Sequence, residues 1–229
     1  MKPLEDPALA AARLRGLLIA LHLGSPALPV GGYAYSQGLE KAIDDGLVHD
    51  ADSAHRWIED LLLLVLARWE APLWLRAYDA TARADDAAFA AINATLLASR
   101  ETAELRLESQ QMGASLAQIF PAFGLTPPPA PLAYPAAFAA LCAGLQIERE
   151  LGLATFLWSW AENQVLAAVK TIPLGQAAGQ RLLAALHSPL TRAVTQAAGL
   201  DDEELGSAPL GFAIESARHE TQYARLYRS

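Results

Sequence analysis

Ser36 is the residue whose setting most invites a chemical reading. It lies in Ala34-Tyr35-Ser36-Gln37-Gly38, one residue short of the G-x-S-x-G turn that exposes a nucleophilic serine between a strand and a helix. That chemistry needs a parallel sheet, an oxyanion loop, and an acid followed by a histidine later in the chain. Strand-like segments for such a sheet are missing. The simpler role for Ser36 is to cap the helix that follows, its hydroxyl accepting a free backbone N–H. The histidines His22, His49, His55, His187 and His219 form no H-x-H, H-x-x-x-H or H-E-x-x-H pattern. Glu215 and His219 stand four apart on one helical face and are the candidate metal ligands. Two ligands do not close a metal site, and an exposed pair within one helix is the plainer reading. Residues 175–181, GQAAGQR, lack the GK[ST] ending of a phosphate-binding loop, so neither nucleotide nor cofactor is expected. Cys142, in the apolar run AALCAGL, reads as a packed core thiol.

These residues have to be carried by helices. Alanine and leucine dominate the chain while valine and isoleucine are sparse, a balance that favours helix over strand. Helices are expected over about 10–23, from Ser36 to a stop at Gly46, over 52–82 with a kink at Pro72, and over 85–98. Residues 100–123 form a clear amphipathic helix, with Leu105, Met112, Leu116, Ile119 and Phe120 on one face. Glu101, Glu104, Arg106 and Glu108 lie largely off it. The proline-rich stretch 126–135 is a turn inside one bundle. Further helices follow over 135–151, 153–171, 175–198 (disturbed at Ser188-Pro189) and 211–225. The helix over 153–171 is apolar nearly all round, which marks a central, buried position, and its Asn163 and Gln164 then need hydrogen-bond partners. The fold class is all-α: one bundle of about eight to ten helices over 1–229, with a partly mobile N-terminus (1–9) and C-terminal tail (218–229).

The 229 residues suffice for a real core, and 53% of them are hydrophobic against 18% charged. A net charge of −8 without any run of lysine or arginine argues against nucleic-acid binding. The longest greasy run, LLLLVLA at 61–67, is too short for a membrane span. A lone cysteine excludes an internal disulfide and fits a reducing compartment, and the N-terminus lacks a signal-peptide layout. A cytoplasmic, non-membrane protein is expected.

The least ordinary segment is SPALPVGGYAYSQGLEKA, residues 25–42. Two prolines fix φ, and Gly31-Gly32 allows turns that other residues resist. With RETAELRLESQQMGASL at 100–116, AAVKTIPLGQAAGQRLLAAL at 167–186 and ESARHETQYARLYRS at 215–229, it makes four blocks that resemble, in order, the signatures of the urease accessory protein UreF family. Ala34, Gln111 and Lys170 depart from residues common in that family without removing a block. The resemblance implies an all-α homodimer without catalytic activity. It also implies a scaffold that bridges UreD (UreH) and the GTPase UreG and delivers nickel to apo-urease, GTP hydrolysis belonging to UreG. Pro26, Pro29, Gly31, Gly32, Tyr33, Tyr35 and Ser36 are then expected to organise a partner-facing region, with both tyrosines as anchors. Tyr223, Arg225, Tyr227 and Arg228 are expected to order on the UreD-like partner, and Lys170 and Arg181 are further candidates for contacting UreG. The alternatives are a helical interaction module of another assembly and the serine hydrolase at Ser36.

Overall fold

Helix boundaries follow the residues able to cap them. The computed structural model describes residues 7–229, so most of the N-terminal stretch expected to be mobile lies outside the described residues. Helix α1 spans Pro7–Leu23 and α2 spans Leu39–Asp44. Asp50 opens α3 (Ala51–Asp60) through a reciprocal pair of bonds with Ser53. Helix α4 (Glu70–Ala82) is followed by α5 (Asp86–Ala98), where the Asp85 side chain accepts from the Ala88 N–H. Thr102 caps α6 (Ala103–Ala117) in the same way through Leu105. The remaining helices are α7 (Tyr134–Gly144), α8 (Arg149–Thr171), α9 (Gln176–Ala185), α10 (His187–Ala198) and α11 (Leu210–His219). No strand occurs among the described residues, so the all-α class expected from composition is what the structure shows.

Three expectations about the helices need correction. The break expected at Pro72 falls earlier, in a π-helical turn at Leu61–Val65 and a 3₁₀ turn at Leu66–Arg68. Pro72 sits in the first turn of α4, where its missing N–H has no intrahelical acceptor to lose. Ser36 stands further from the second helix than expected, although its hydroxyl does accept the first-turn N–H of Glu40 at 3.3 Å. Gln37 and Gly38 both take positive φ, 53° and 77°, so the chain turns left-handed before α2 starts at Leu39. Glu108, expected off the buried face of α6, is only 4% exposed.

The core is continuous. Helix α7 is buried along most of its length, and its alanines let it lie close against α4 and α6. Trp74, Tyr134, Phe138 and Phe156 form an aromatic cluster, with the Phe138 and Phe156 ring centres 5.5 Å apart. Helix α8 runs through the middle, touching α1, α2, α3, α4, α7, α9 and α10, as its nearly uniform apolar surface requires. Cys142 is fully buried here, and burial pushes its thiol well above its ordinary range. None of the described helices is long and apolar enough to cross a membrane.

Helix α6 meets the proline-rich turn at Gly113, where an added Cβ would stand 2.2 Å from the carbonyl oxygen of Leu132. Both groups there are main chain and cannot rotate away. Gly113→Ala is therefore expected to destabilise the chain by about 1–3 kcal/mol in urea denaturation. A cost below about 0.5 kcal/mol, the scatter of an ordinary surface change, would show that the contact is not as close as described.

Candidate functional site

Three of the four sequence blocks close on one another at one corner of the bundle. The proline- and glycine-rich segment between α1 and α2 ends in Tyr35-Ser36-Gln37, whose polar groups are nearly all engaged. The Tyr35 hydroxyl donates to Gln111 Oε1 on α6 at 2.7 Å. The Tyr35 and Ser36 carbonyls accept from Asn163 Nδ2 and Gln164 Nε2 on α8. Gln37 receives Trp160 Nε1–H at 2.7 Å and donates to Glu108 at 2.6 Å. The amide nitrogens of both α8 residues thus find acceptors in this loop, while the buried Gln164 Oε1 has no hydrogen-bond partner. Burial pushes the Tyr35 hydroxyl above its usual range, and the neighbouring Glu108 carboxylate adds to the shift.

The chain's last residues complete the corner. The Ser229 carbonyl oxygen accepts the N–H of Ser36 and of Gln37 and the Ser36 hydroxyl, at 2.8, 3.0 and 2.7 Å. Ser229 Oγ donates to Glu108, and the Arg228 N–H donates to the Ala34 carbonyl. Glu40 on α2 accepts the main-chain N–H groups of Leu226 and Tyr227 at 2.7 and 3.0 Å. Its Oε2 also lies 3.3 Å from Nε2 of the fully buried His219, whose Nδ1 lies 3.0 Å from Glu104. Arg225 reaches the other oxygen of Glu104. The tail expected to be mobile is thus placed against the body of the chain by main-chain bonds to two elements.

Beneath this corner lies a cavity of about 100 Å³. Glu70, Glu108, Arg100 and Met112 line it, and Tyr33 and Leu166 stand at its edge. Burial works against the Arg100 charge, but Glu70, Glu108 and Glu101 hold the guanidinium protonated. Burial raises Glu108, partly offset by the bonds it accepts from Ser229 and Gln37.

Glu215 and His219 do not act together. Glu215 turns to Arg218 and Asp45 while His219 is held between Glu40 and Glu104. Among the described residues no group of three or more histidines, cysteines and acids could hold a metal ion. Ser36 is fully buried with its hydroxyl spent on Ser229, an arrangement opposite to that of an exposed nucleophile.

The family model described as UreF matches residues 48–187. The chain belongs to the UreF family. It is 48% identical to the urease accessory protein UreF of Cupriavidus pinatubonensis, over 94% of this chain and 99% of that one. It is 49% identical to the UreF of Azoarcus sp., over 96% and 98%. It is also 47% identical to the bifunctional urease accessory protein UreEF of Bordetella bronchiseptica, covering 97% of this chain but 53% of that protein.

For this UreF-family chain the expected contact residues fall into two groups. Pro26, Pro29, Tyr33, Tyr223, Arg225 and Arg228 lie on the surface, and Gly31 and Gly32 are half-buried beside them. Lys170 and Arg181 are exposed, the former at the end of α8 and the latter on α9. Tyr35, Ser36 and Tyr227 are buried, so the expectation that both loop tyrosines serve as anchors needs correction: Tyr33 faces out and Tyr35 faces Gln111. Sequence reasoning missed Glu40, Glu104, Gln37 and Trp160 as members of the corner. The cluster of polar residues in WAENQ, set within an otherwise apolar helix, was the signal for the α8 part.

Substitution separates the two tyrosines. Tyr33→Ala is expected to change stability by no more than about 0.5 kcal/mol, since the side chain is 71% exposed. Tyr35→Ala empties a buried site and unpairs Gln111, and is expected to cost about 3 kcal/mol in urea denaturation. Equal costs for the two would contradict this division.

Proposed function

We propose that this chain is a non-catalytic assembly factor for urease. In this reading it works as a homodimer in the cytoplasm and bridges a UreD (UreH)-like protein and a UreG-like GTPase, so that nickel reaches apo-urease. Family membership supports the urease context, since the relatives named above are urease accessory proteins. Nickel is cargo here, passed on by the assembly, and the GTP chemistry belongs to the GTPase.

One observation carries the scaffold reading. The tail is fastened by its main chain, through Leu226, Tyr227, Arg228 and Ser229, while side chains beside those anchors point to solvent. Tyr223 is fully exposed and Leu226 is 74% exposed. Tethering the backbone while displaying an aromatic and an aliphatic side chain suits a binding surface. Less conformational entropy is lost when a partner meets a segment already held in place. Tyrosine and arginine, the residues displayed by this tail and by Tyr33 next to it, are those most often dominant in interfaces.

The test uses full-length chain co-expressed with the UreD-like and UreG-like proteins of the same source. Tyr223→Ala combined with Leu226→Ala is expected to weaken the complex at least about tenfold, some 1.4 kcal/mol. The variant should melt with the parent chain, because neither side chain is part of the core. Undiminished complex formation would contradict the tail's role. Failure of the parent chain to join either folded partner would contradict the assembly reading itself.

A further inference from the structure

Helix α8 presents one stripe to the cavity beneath the corner. Ser159, Glu162, Asn163 and Leu166, spaced i, i+3, i+4 and i+7, all line it. Ser159 Oγ–H donates to the Phe156 carbonyl, and Asn163 Nδ2 donates to that of Tyr35. The carboxylate of Glu162 differs: among the described residues it has neither a hydrogen bond nor an ion pair. It is half-buried, and burial alone pushes its carboxyl above the ordinary range, with no donor or cation to offset the shift. The other two acids that line the cavity are engaged. Glu70 is paired with Arg100, and Glu108 accepts from Ser229 and Gln37.

We propose that this cavity is a binding site for a small organic cation, a guanidinium or ammonium on a short apolar stem, with Glu162 as its counter-ion. Charge selects the sign. Arg100 is the one cation among the described residues that line the cavity, against three glutamates, and it is already held by Glu70. An anion would meet the unpaired Glu162 and gain no free partner. The lining selects an organic ion over a bare one. Most of the wall is carbon, from Leu23, Leu28, Leu105, Met112 and Phe156. A divalent metal ion needs several oxygen or nitrogen ligands, and Glu162 is the one uncommitted carboxylate. Tyr33 and Tyr134 add aromatic surface, which attracts cations and accepts their apolar stems. Size agrees. The volume of about 100 Å³ is several times the roughly 10–15 Å³ that one water needs, and smaller than the ~150 Å³ apolar cavity that admits benzene. The exposed Tyr33 and Leu166 mark the way in. A largely apolar pocket with a polar group aimed into it is the usual form of a small-ligand site.

The cavity is tested on the full chain alone, independently of the assembly reading. Backbone amide shifts are followed by NMR while ethylguanidinium is added to millimolar concentration, with ionic strength held constant by sodium chloride. Ethylurea, of the same shape without the charge, is the control. Ethylguanidinium is expected to shift Gly32, Ser109 and Asn163, which line the cavity, and to bind at least about tenfold more tightly than ethylurea. Glu162→Gln is expected to abolish that preference without loss of stability, since the carboxylate it replaces has no partner to lose. Glu203→Gln, which removes an exposed acid elsewhere, should leave the preference intact. Absence of shifts at the cavity, equal binding of ethylurea, or an equal loss in the Glu203 variant would overturn the proposal. The same titration on the chain in complex with the UreD-like and UreG-like proteins separates two sources of the cation. Exclusion of ethylguanidinium there, with assembly weakened by Glu162→Gln, assigns the cavity to a partner's lysine or arginine side chain. Undiminished binding in the complex assigns it to a free molecule.

Discussion

A buried carboxylate on α2 determines how the chain ends. Glu40 is 6% exposed, and an ionised group at that depth is tolerated only if its lone pairs are filled. The donors come from residues nearly two hundred positions away, the N–H groups of Leu226 and Tyr227, and the ring of His219 packs against the same carboxylate. The dependence runs both ways. Without Glu40 those amides would lose their acceptor, and without the tail Glu40 would be left a buried charge short of partners. Glu108 on α6 repeats the arrangement, accepting from Ser229 and Gln37. The conformation of the loop between α1 and α2 follows from these two carboxylates. Gln37 and Gly38 adopt positive φ, which turns the Ser36 and Gln37 N–H groups together toward the Ser229 carbonyl.

This arrangement explains why so rigid a segment is set in a chain of plain helices. The prolines and glycines shape a loop that receives the tail on one side and α8 on the other. Its outward residues, Pro26, Pro29 and Tyr33, then share a surface with the outward residues of the tail. Polar burial lies beneath and aromatic and aliphatic display lies above.

Much of the architecture was legible because helices announce themselves locally. Asp85 caps the helix expected to start there, Asp50 and Thr102 cap within about two residues of the expected starts, and the apolar face of α6 runs through Leu105, Met112 and Leu116. The break at 61–69 was not legible, because LLLLVLA is equally apolar as an α-, π- or 3₁₀-turn and carries no residue that forces a choice. Glu108 and Glu40 escaped notice for a different reason. A glutamate in a helix looks solvated unless its distant donors are known, and those donors are main-chain or hydroxyl groups with no sequence signature. Glu215 and His219 share a helix as their spacing suggests, but their neighbours on α2 and α6 send them to different partners. The loop tyrosines likewise look equivalent in sequence, and only Gln111 on α6 makes Tyr35 the inward one.

The tail is fastened to the body largely through its main chain, while the side chains of Tyr223 and Leu226 stay exposed. Amide hydrogen exchange on the isolated full chain, read residue by residue, is the decisive experiment for that division. The N–H groups of Leu226, Tyr227 and Arg228 are bonded to Glu40 and to the Ala34 carbonyl, so they are expected to exchange slowly while Tyr223 exchanges fast. Exchange of all four at the rate of an unstructured peptide would show that the tail is not fastened at all.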